Sequence, residues 1–441
     1  MPKKSTSWLI VMLSMLLPLV AACGTGASTG TSLSGMVTVP HGENLYVLDG
    51  YSPLRTNSSG QQIVAFHPGS ANPAALLTLP AGLTSMDHRT LYMATSKGGQ
   101  TTISVINTQN GSSIRSLVIQ GNNTTAGQSF TNAVLSFNGK WLALRELGRA
   151  GNETTIALVN TQAGKLVKTI RLNGNFDLDA VNPDGNRIYL LERLNDGSGH
   201  YYVRLYDVTE NQLYQYPIVD KTEINDPRMT GTALARQMAS DGTMVYTLYI
   251  DTARNVAFVH ILPLTGDLLG ARCVVLPAGK SADLLHYYTL ILSSDGTTLY
   301  AANGALGVAN AIELSGNDIF DDKIAGTSRF NPGNINAASG DKTQALYNGA
   351  ALSPDQKTLY FVGQQGVWAI NTSDLLAQRN NFAHYLTRHS LTGIALSSDG
   401  RTLYAVDPAN GITLLNAGTG QPQQVIQGPA HAPWGIEWIT N

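Results

Sequence analysis

From Pro40 onward, short apolar runs alternate with polar turns along the whole chain. The last copy shows the unit in full. Leu391-Thr392-Gly393-Ile394-Ala395-Leu396 predicts a strand, since such residues suit a half-buried pleated surface. Ser397-Ser398-Asp399-Gly400 predicts a tight turn: Ser and Asp side chains bond their own backbone, and Gly takes positive φ without strain. Leu403 to Val406, Gly411 to Leu415 and Gln424-Val425-Ile426 predict three further strands, with Gly418-Thr419-Gly420 turning the chain before the last. No long helical stripe with caps intervenes, which disfavours a parallel α/β sheet.

The unit repeats. Close copies are Ser293-Ser294-Asp295-Gly296-Thr297-Thr298-Leu299-Tyr300 and Ser353-Pro354-Asp355-Gln356-Lys357-Thr358-Leu359-Tyr360. The apolar residue before the Tyr position recurs at Leu45, Leu91, Leu142, Ile188, Val245, Leu299, Leu359 and Leu403, at spacings of 44 to 60 residues. Repeats of roughly 40 to 50 residues mark propeller blades, and longer intervals carry loop insertions. One blade cannot bury both of its faces, whereas a closed ring can. The expected fold is therefore all-β: a β-propeller of four-stranded antiparallel blades over residues 35–441. Eight blades are favoured and seven are the alternative. Either Gly35-Met36-Val37-Thr38-Val39 or Pro433-Trp434-Gly435-Ile436-Glu437-Trp438-Ile439 completes the first blade. In the latter, a period of two puts Trp434, Ile436 and Trp438 on one face, as packing between blades.

The order of strand, S-x-D-G-x-x-L-Y, a third strand ending in Asn-Thr and a Gly turn resembles YncE-like, YVTN-type propeller repeats. Ile103-Ser104-Val105-Ile106-Asn107-Thr108 and Ile156-Ala157-Leu158-Val159-Asn160-Thr161 carry that third strand. The resemblance spans residues 35–441 and implies the fold more than any activity, since propellers host many unrelated functions.

The first residues change the picture of where the ring works. Lys3 and Lys4 precede the mostly apolar run Trp8 to Val20, and Ala21-Ala22-Cys23 follows. A charged start, a short apolar core and small residues before a cleavage point describe a secretory signal. The run is too short to span about 30 Å of hydrocarbon at about 1.5 Å per residue. The Cys directly after the small residues resembles the lipobox of bacterial lipoproteins. That resemblance implies a signal over residues 1–22, lipid on Cys23, and durable anchoring to a bacterial cell membrane on its extracytoplasmic side. A plain secretory signal and an uncleaved anchor are the alternatives. Residues 23–34 read as the lipidated Cys and a Gly/Ser/Thr tether. The G-x-S-x-G string Gly26 to Gly30 falls there without the strand and helix that a nucleophile elbow needs.

Charged residues make up 13% of the chain and the net charge is -2, which argues against nucleic-acid binding. With Cys23 used for lipid, Cys273 stands alone and reads as a small buried hydrophobe in a strand. No metal-ligand spacing or cofactor motif appears, so neither metal nor cofactor is expected. The acidic run Asn317 to Asp322 lacks the Gly and Glu of a calcium loop, and Ser339-x-x-Lys342 lacks the K-T-G that would accompany it.

In a propeller, function is expected on the loops that rigid blades hold. Segments joining one blade's last strand to the next blade's first share one face. Arg228, Arg329, Arg379, His384, His389 and His431 are the candidate ligand-binding residues around that mouth, suited to anionic or aromatic ligands. The expected role is a binding or interaction module for an unidentified protein, glycan or small ligand. The alternatives are a propeller enzyme, such as a lactonase-like hydrolase or a quinoprotein-like oxidoreductase, and an assembly role in the envelope. Trp141, Trp368, Trp434 and Trp438 do not form the repeated docking motif that a quinoprotein would require.

Overall fold

The computed structural model describes residues 42–50, 61–125, 131–148, 152–220, 226–267, 269–316, 318–333, 346–363, 365–387 and 389–440. Cys23, the flanking signal and tether, the strand expected at Gly35–Val39, and Ser339 and Lys342 lie outside them.

The strands form eight antiparallel four-stranded sheets. Blade 8 illustrates the order from axis to rim: Gly393–Leu396, Thr402–Asp407, Gly411–Asn416 and Pro422–Ile426. The ring closes in blade 1, where the C-terminal strand Pro433–Thr440 lies inside Asn44–Asp49, Gln62–Phe66 and Leu77–Pro80. Eight blades are therefore present, and the C-terminal strand supplies the innermost position of the first. Among the described residues, no helix is long and apolar enough to cross a membrane.

The repeat motif has a physical role at each position. In blade 8 the Ser397 hydroxyl donates to Asp399 Oδ1 at 2.7 Å and accepts from the Thr402 amide at 2.9 Å. Ser293 and Ser353 repeat both bonds in blades 6 and 7. The fourth turn position takes positive φ even where it is not Gly, as at His88 (φ 54) and Gln356 (φ 60). The Thr of Asn-Thr bonds back to that turn: Thr108 to His88 O, Thr161 to Gly139 O and Thr372 to Gln356 O. The third strand is thereby pinned to the hairpin that precedes it.

Successive side chains of a strand enter opposite blade junctions. Leu403 is buried against blade 7 and its neighbour Tyr404 against blade 1. Each junction between adjacent blades carries its own apolar cluster; the one between blades 3 and 4, for example, holds Leu158, Ile170, Phe176 and Leu190.

The C-terminal strand departs from the simple alternation expected of it. Tyr46 pairs with Trp438 but Val47 pairs with Ile436, so Glu437 is an extra residue. This β-bulge flips the residues next to it, Ile436 and Gly435, to the other side, and a second shift follows at Trp434. Ile436 packs toward blade 8 and Trp438 toward blade 2, where it stacks on Tyr46 at 4.4 Å. The shared face expected for Ile436 and Trp438 is thus divided by the bulge.

Candidate functional site

The inner strands frame an axial channel. Two of them, besides the C-terminal one, also carry a bulge: Asp179 is the extra residue in Asn175–Val181 of blade 4, and Leu234 in Thr232–Met238 of blade 5. Bulges re-aim side chains, and they are frequent beside functional sites. A cavity of about 300 Å³ opens at the axis. Arg236 and Gln237 of blade 5, Thr289 of blade 6, Tyr347 and Asn348 before blade 7, and Glu437 of blade 1 line it together with apolar neighbours.

Among the described residues, two lining side chains are ionisable, and they are treated differently. Arg236 donates to Asp179 Oδ1 at 2.5 Å and to Thr247 Oγ1 at 3.2 Å. Asp179 is only 1% exposed, so its charge is held by this guanidinium. Behind the pair stand Tyr249 and His260, both fully buried, with ring centroids 6.1 Å apart. Burial raises the Tyr249 phenol and lowers the His260 imidazole, so both stay uncharged. Among the described residues, His260 Nε2 and Asp179 Oδ2 have no hydrogen-bond partner.

Nearby on the same strand, Asp177 pairs with Arg145 at 3.2 Å and Arg193 at 2.8 Å. Arg193 also lies 4.6 Å above the Tyr201 ring. These charges are neutralised within blades 3 and 4.

Glu437 has a different setting. It is half-buried, and it lines the channel. Burial pushes its carboxyl up to about 7, opposed by a hydrogen bond from Tyr347. Among the described residues, no Lys, Arg or His pairs with it. Tyr347 is held by a cradle of small residues. A Cβ on Gly435 would stand 2.3 Å from the Tyr347 ring, and one on Gly393 would stand 2.3 Å from its carbonyl oxygen. The Tyr347 amide donates to Thr392 O at 2.7 Å, and Asn348 Nδ2 donates to Ile436 O at 2.9 Å. Residues 347 and 348 are thus fastened to the inner strands of blades 8 and 1. The arrangement presents one rigidly placed carboxyl, balanced between its two protonation states near neutrality, beside amide and hydroxyl groups.

The six residues singled out from the sequence lie elsewhere, and none lines the channel. Arg228 is in the link from blade 4 to blade 5, paired with Asp226 at 2.8 Å. Arg329 ends the outer strand of blade 6, with its amide on Asn380 Oδ1 at 2.8 Å. His389 lies between blades 7 and 8, 3.2 Å from Asp407 Oδ2. His431 is exposed between blades 8 and 1. Arg379 and His384 are not on an inter-blade link. Phe382–Tyr385 forms the outer strand of blade 7, which places Arg379 inside the blade's own third-to-outer connection, after the short helix Thr372–Leu376. His384 stacks on Trp368 at 3.7 Å, and its Nε2 meets Gln365 O at 2.7 Å. The short strand Phe-Ala-His-Tyr is hidden by the polar residues around it, so it reads as loop. Among the described residues, no hydrogen bond or ion pair joins any two of the six.

The acidic run before blade 6's outer strand is used locally. Asp318 accepts from the Phe320 amide at 3.1 Å, and Asp322 accepts from Ser315. Cys273 lies on the outer strand Arg272–Leu276 of blade 5, half-buried against the apolar cluster shared with blade 4. Among the described residues, no group of three or more His, Cys, Asp or Glu is placed to hold a metal ion.

No protein-family model matches the chain. No curated protein matches it either. Solved structures do resemble it. Apo AztD from Citrobacter koseri has a TM-score of 0.50 at 12% identity, over 89% of this chain and 97% of that one. The dihydro-heme d1 dehydrogenase NirN, in complex with DHE, has a TM-score of 0.47 at 13% identity, over 90% and 75%. The periplasmic gluconolactonase PpgL of Pseudomonas aeruginosa has 0.41 at 13%, over 80% and 99%. At these identities the likeness concerns the propeller fold alone.

Proposed function

We propose that this chain is an extracytoplasmic, lipid-anchored propeller of the YncE-like kind that binds a small ligand in its axial channel. The observation that carries the reading is the cavity of about 300 Å³ on the axis, lined by Arg236, Gln237, Thr289, Asn348 and Glu437 on the strands and links that build the ring. Ligand sites are concave, largely pre-formed and mixed in this way, with a few placed polar groups. Its volume is at the small end of such sites, which favours a metabolite-sized occupant over a protein segment. The Lys3-Lys4 start, the apolar run Trp8 to Val20 and Ala21-Ala22-Cys23 support export and lipid attachment at Cys23.

Two measurements test this. Labelled palmitate should enter the wild-type chain and not C23A. Native mass spectrometry of protein gently extracted from its own membrane should show a retained small mass, absent from Q237W, whose indole would fill the channel. A bare protein mass, together with no thermal stabilisation by any compound in a broad metabolite panel, would sink the ligand-binding reading.

A further inference from the structure

We infer that the axial channel takes a ligand bearing a cationic nitrogen, an amine or guanidinium on a small polar frame, with that nitrogen seated on Glu437. This inference rests on the channel being a binding site.

The geometry is the first support. The bulge makes Glu437 an unpaired residue of the innermost strand, and it lines the cavity. Tyr347, locked by Gly435 and Gly393, gives the carboxyl one hydrogen bond. A carboxylate offers about four lone-pair sites, so accepting capacity remains. Gln237, Asn348 and Thr289 line the same cavity, and amide and hydroxyl oxygens of this kind accept the N–H groups of an ammonium or guanidinium.

Charge is the second. Arg236, the cation that lines the cavity, is already held by the buried Asp179. Among the described residues nothing comparable matches Glu437. An anionic ligand would meet an acid and gain little from a guanidinium already committed. A cation would supply the missing charge at a half-buried carboxyl, where the attraction is stronger than in open solvent. The raised carboxyl is what an unmatched acid in such a place shows, and a cation would lower it again.

The competing occupant is a neutral ligand whose carbonyl accepts a hydrogen bond from protonated Glu437. The two differ in the sign of proton exchange. A cation favours the ionised acid and expels its proton to solvent. A neutral acceptor draws a proton in.

The experiment is isothermal titration of the full-length lipoprotein in detergent, at pH 7, in phosphate and in MOPS buffers of different ionisation enthalpy. The probes are ethanolamine, 1,3-diaminopropane and agmatine, their hydroxyl counterparts, and glycolate. The expected result is amine binding at least about tenfold tighter than that of the matched hydroxyl compound, with proton release. E437Q should weaken it by about tenfold or more and abolish the release. At pH 5 wild-type Glu437 is itself protonated, so E437Q should there share its thermal midpoint, which serves as the folding control. Should E437Q fail that control, the wild-type proton count alone decides. Proton uptake, equal affinity for amines and hydroxyl compounds, or undiminished amine binding by a folded E437Q would each overturn the cation assignment while leaving the channel a binding site. If no probe binds and the extracted protein is bare, both readings fall.

Discussion

The Tyr404 hydroxyl donates to Glu43 Oε1 at 2.5 Å, joining blade 8 to the residue just before the second strand of blade 1. The Ser398 amide and hydroxyl donate to the other carboxylate oxygen at 2.8 and 2.9 Å, and Glu43 is 0% exposed. Tyr404 is the tyrosine of the repeat motif. Its counterpart in blade 7, Tyr360, reaches the Ala417 carbonyl of blade 8 at 3.1 Å. At the seam a carboxylate takes the place of that carbonyl and gathers three donors. The ring is therefore fastened twice, by the C-terminal strand and by Glu43.

Removing this second fastening should be costly. E43A leaves a buried phenol and the Ser398 donors without their acceptor, and should lower stability by about 3 kcal/mol. E43Q keeps the shape and one acceptor and should lose less. Urea denaturation gives the number, and an E43A loss below about 0.5 kcal/mol, the range of ordinary surface changes, would refute the seam's importance.

The turn glycines allow a paired test. Gly296 and Gly400 occupy the same motif position, at φ 72 and 70. A Cβ on Gly296 meets nothing within 4 Å, whereas one on Gly400 would stand 2.5 Å from Pro354 Cδ. G296A should therefore cost about 1 kcal/mol, the left-handed backbone penalty alone. G400A should cost visibly more, because the turn of blade 8 packs on that of blade 7. Equal shifts in thermal midpoint would refute the packing argument.

The ring was readable because each unit solves the same local problem with the same chemistry. Ser, Asp and Gly make the turn, and Thr pins the third strand, so the motif surfaces in the residues themselves. The channel was not readable in that way. Glu437 sits inside Trp-Gly-Ile-Glu-Trp-Ile, where a period of two treats it as one more outward polar residue. Only the bulge, a property of pairing with Asn44–Asp49, turns it to the axis. Asp179 and Arg236 come from the adjacent blades 4 and 5 and meet across their junction. The remaining signal was an acid or a base within an innermost strand, and it was outweighed by exposed Arg and His on longer segments. Some of those residues are paired locally, Arg228 with Asp226 and Arg379 with Asp374.

The Asp179–Arg236 pair should behave as a buried ion pair. Removing one partner leaves an uncompensated charge, so D179A should destabilise by about 3 kcal/mol or more. Replacing both together, D179L/R236M, should recover much of that loss, because two desolvation penalties disappear with the charges. A double-mutant cycle by thermal or urea unfolding checks this. Losses that simply add would show that the two side chains are not coupled.

The last prediction concerns pH. Burial raises Glu437 from the usual carboxylate value of 4.5 to about 7. The folded chain therefore holds this proton over a range in which the unfolded chain has lost it. Stability from this group is complete below 4.5, declines as pH rises and is gone above about 7. The contribution is at most about 3 kcal/mol, and water in the channel reduces it. Buried His260 and half-buried His286 act in the opposite sense, since burial lowers both and their neutral forms must be protonated on unfolding in acid. The whole-protein profile mixes these effects, and the comparison with E437Q isolates the carboxyl. Wild type and E437Q should have similar thermal midpoints at pH 5, and wild type should fall below E437Q by pH 8. Parallel profiles from pH 5 to 8 would mean that the Glu437 carboxyl ionises like an ordinary exposed one, and would remove the electrostatic support for a cation at the axis.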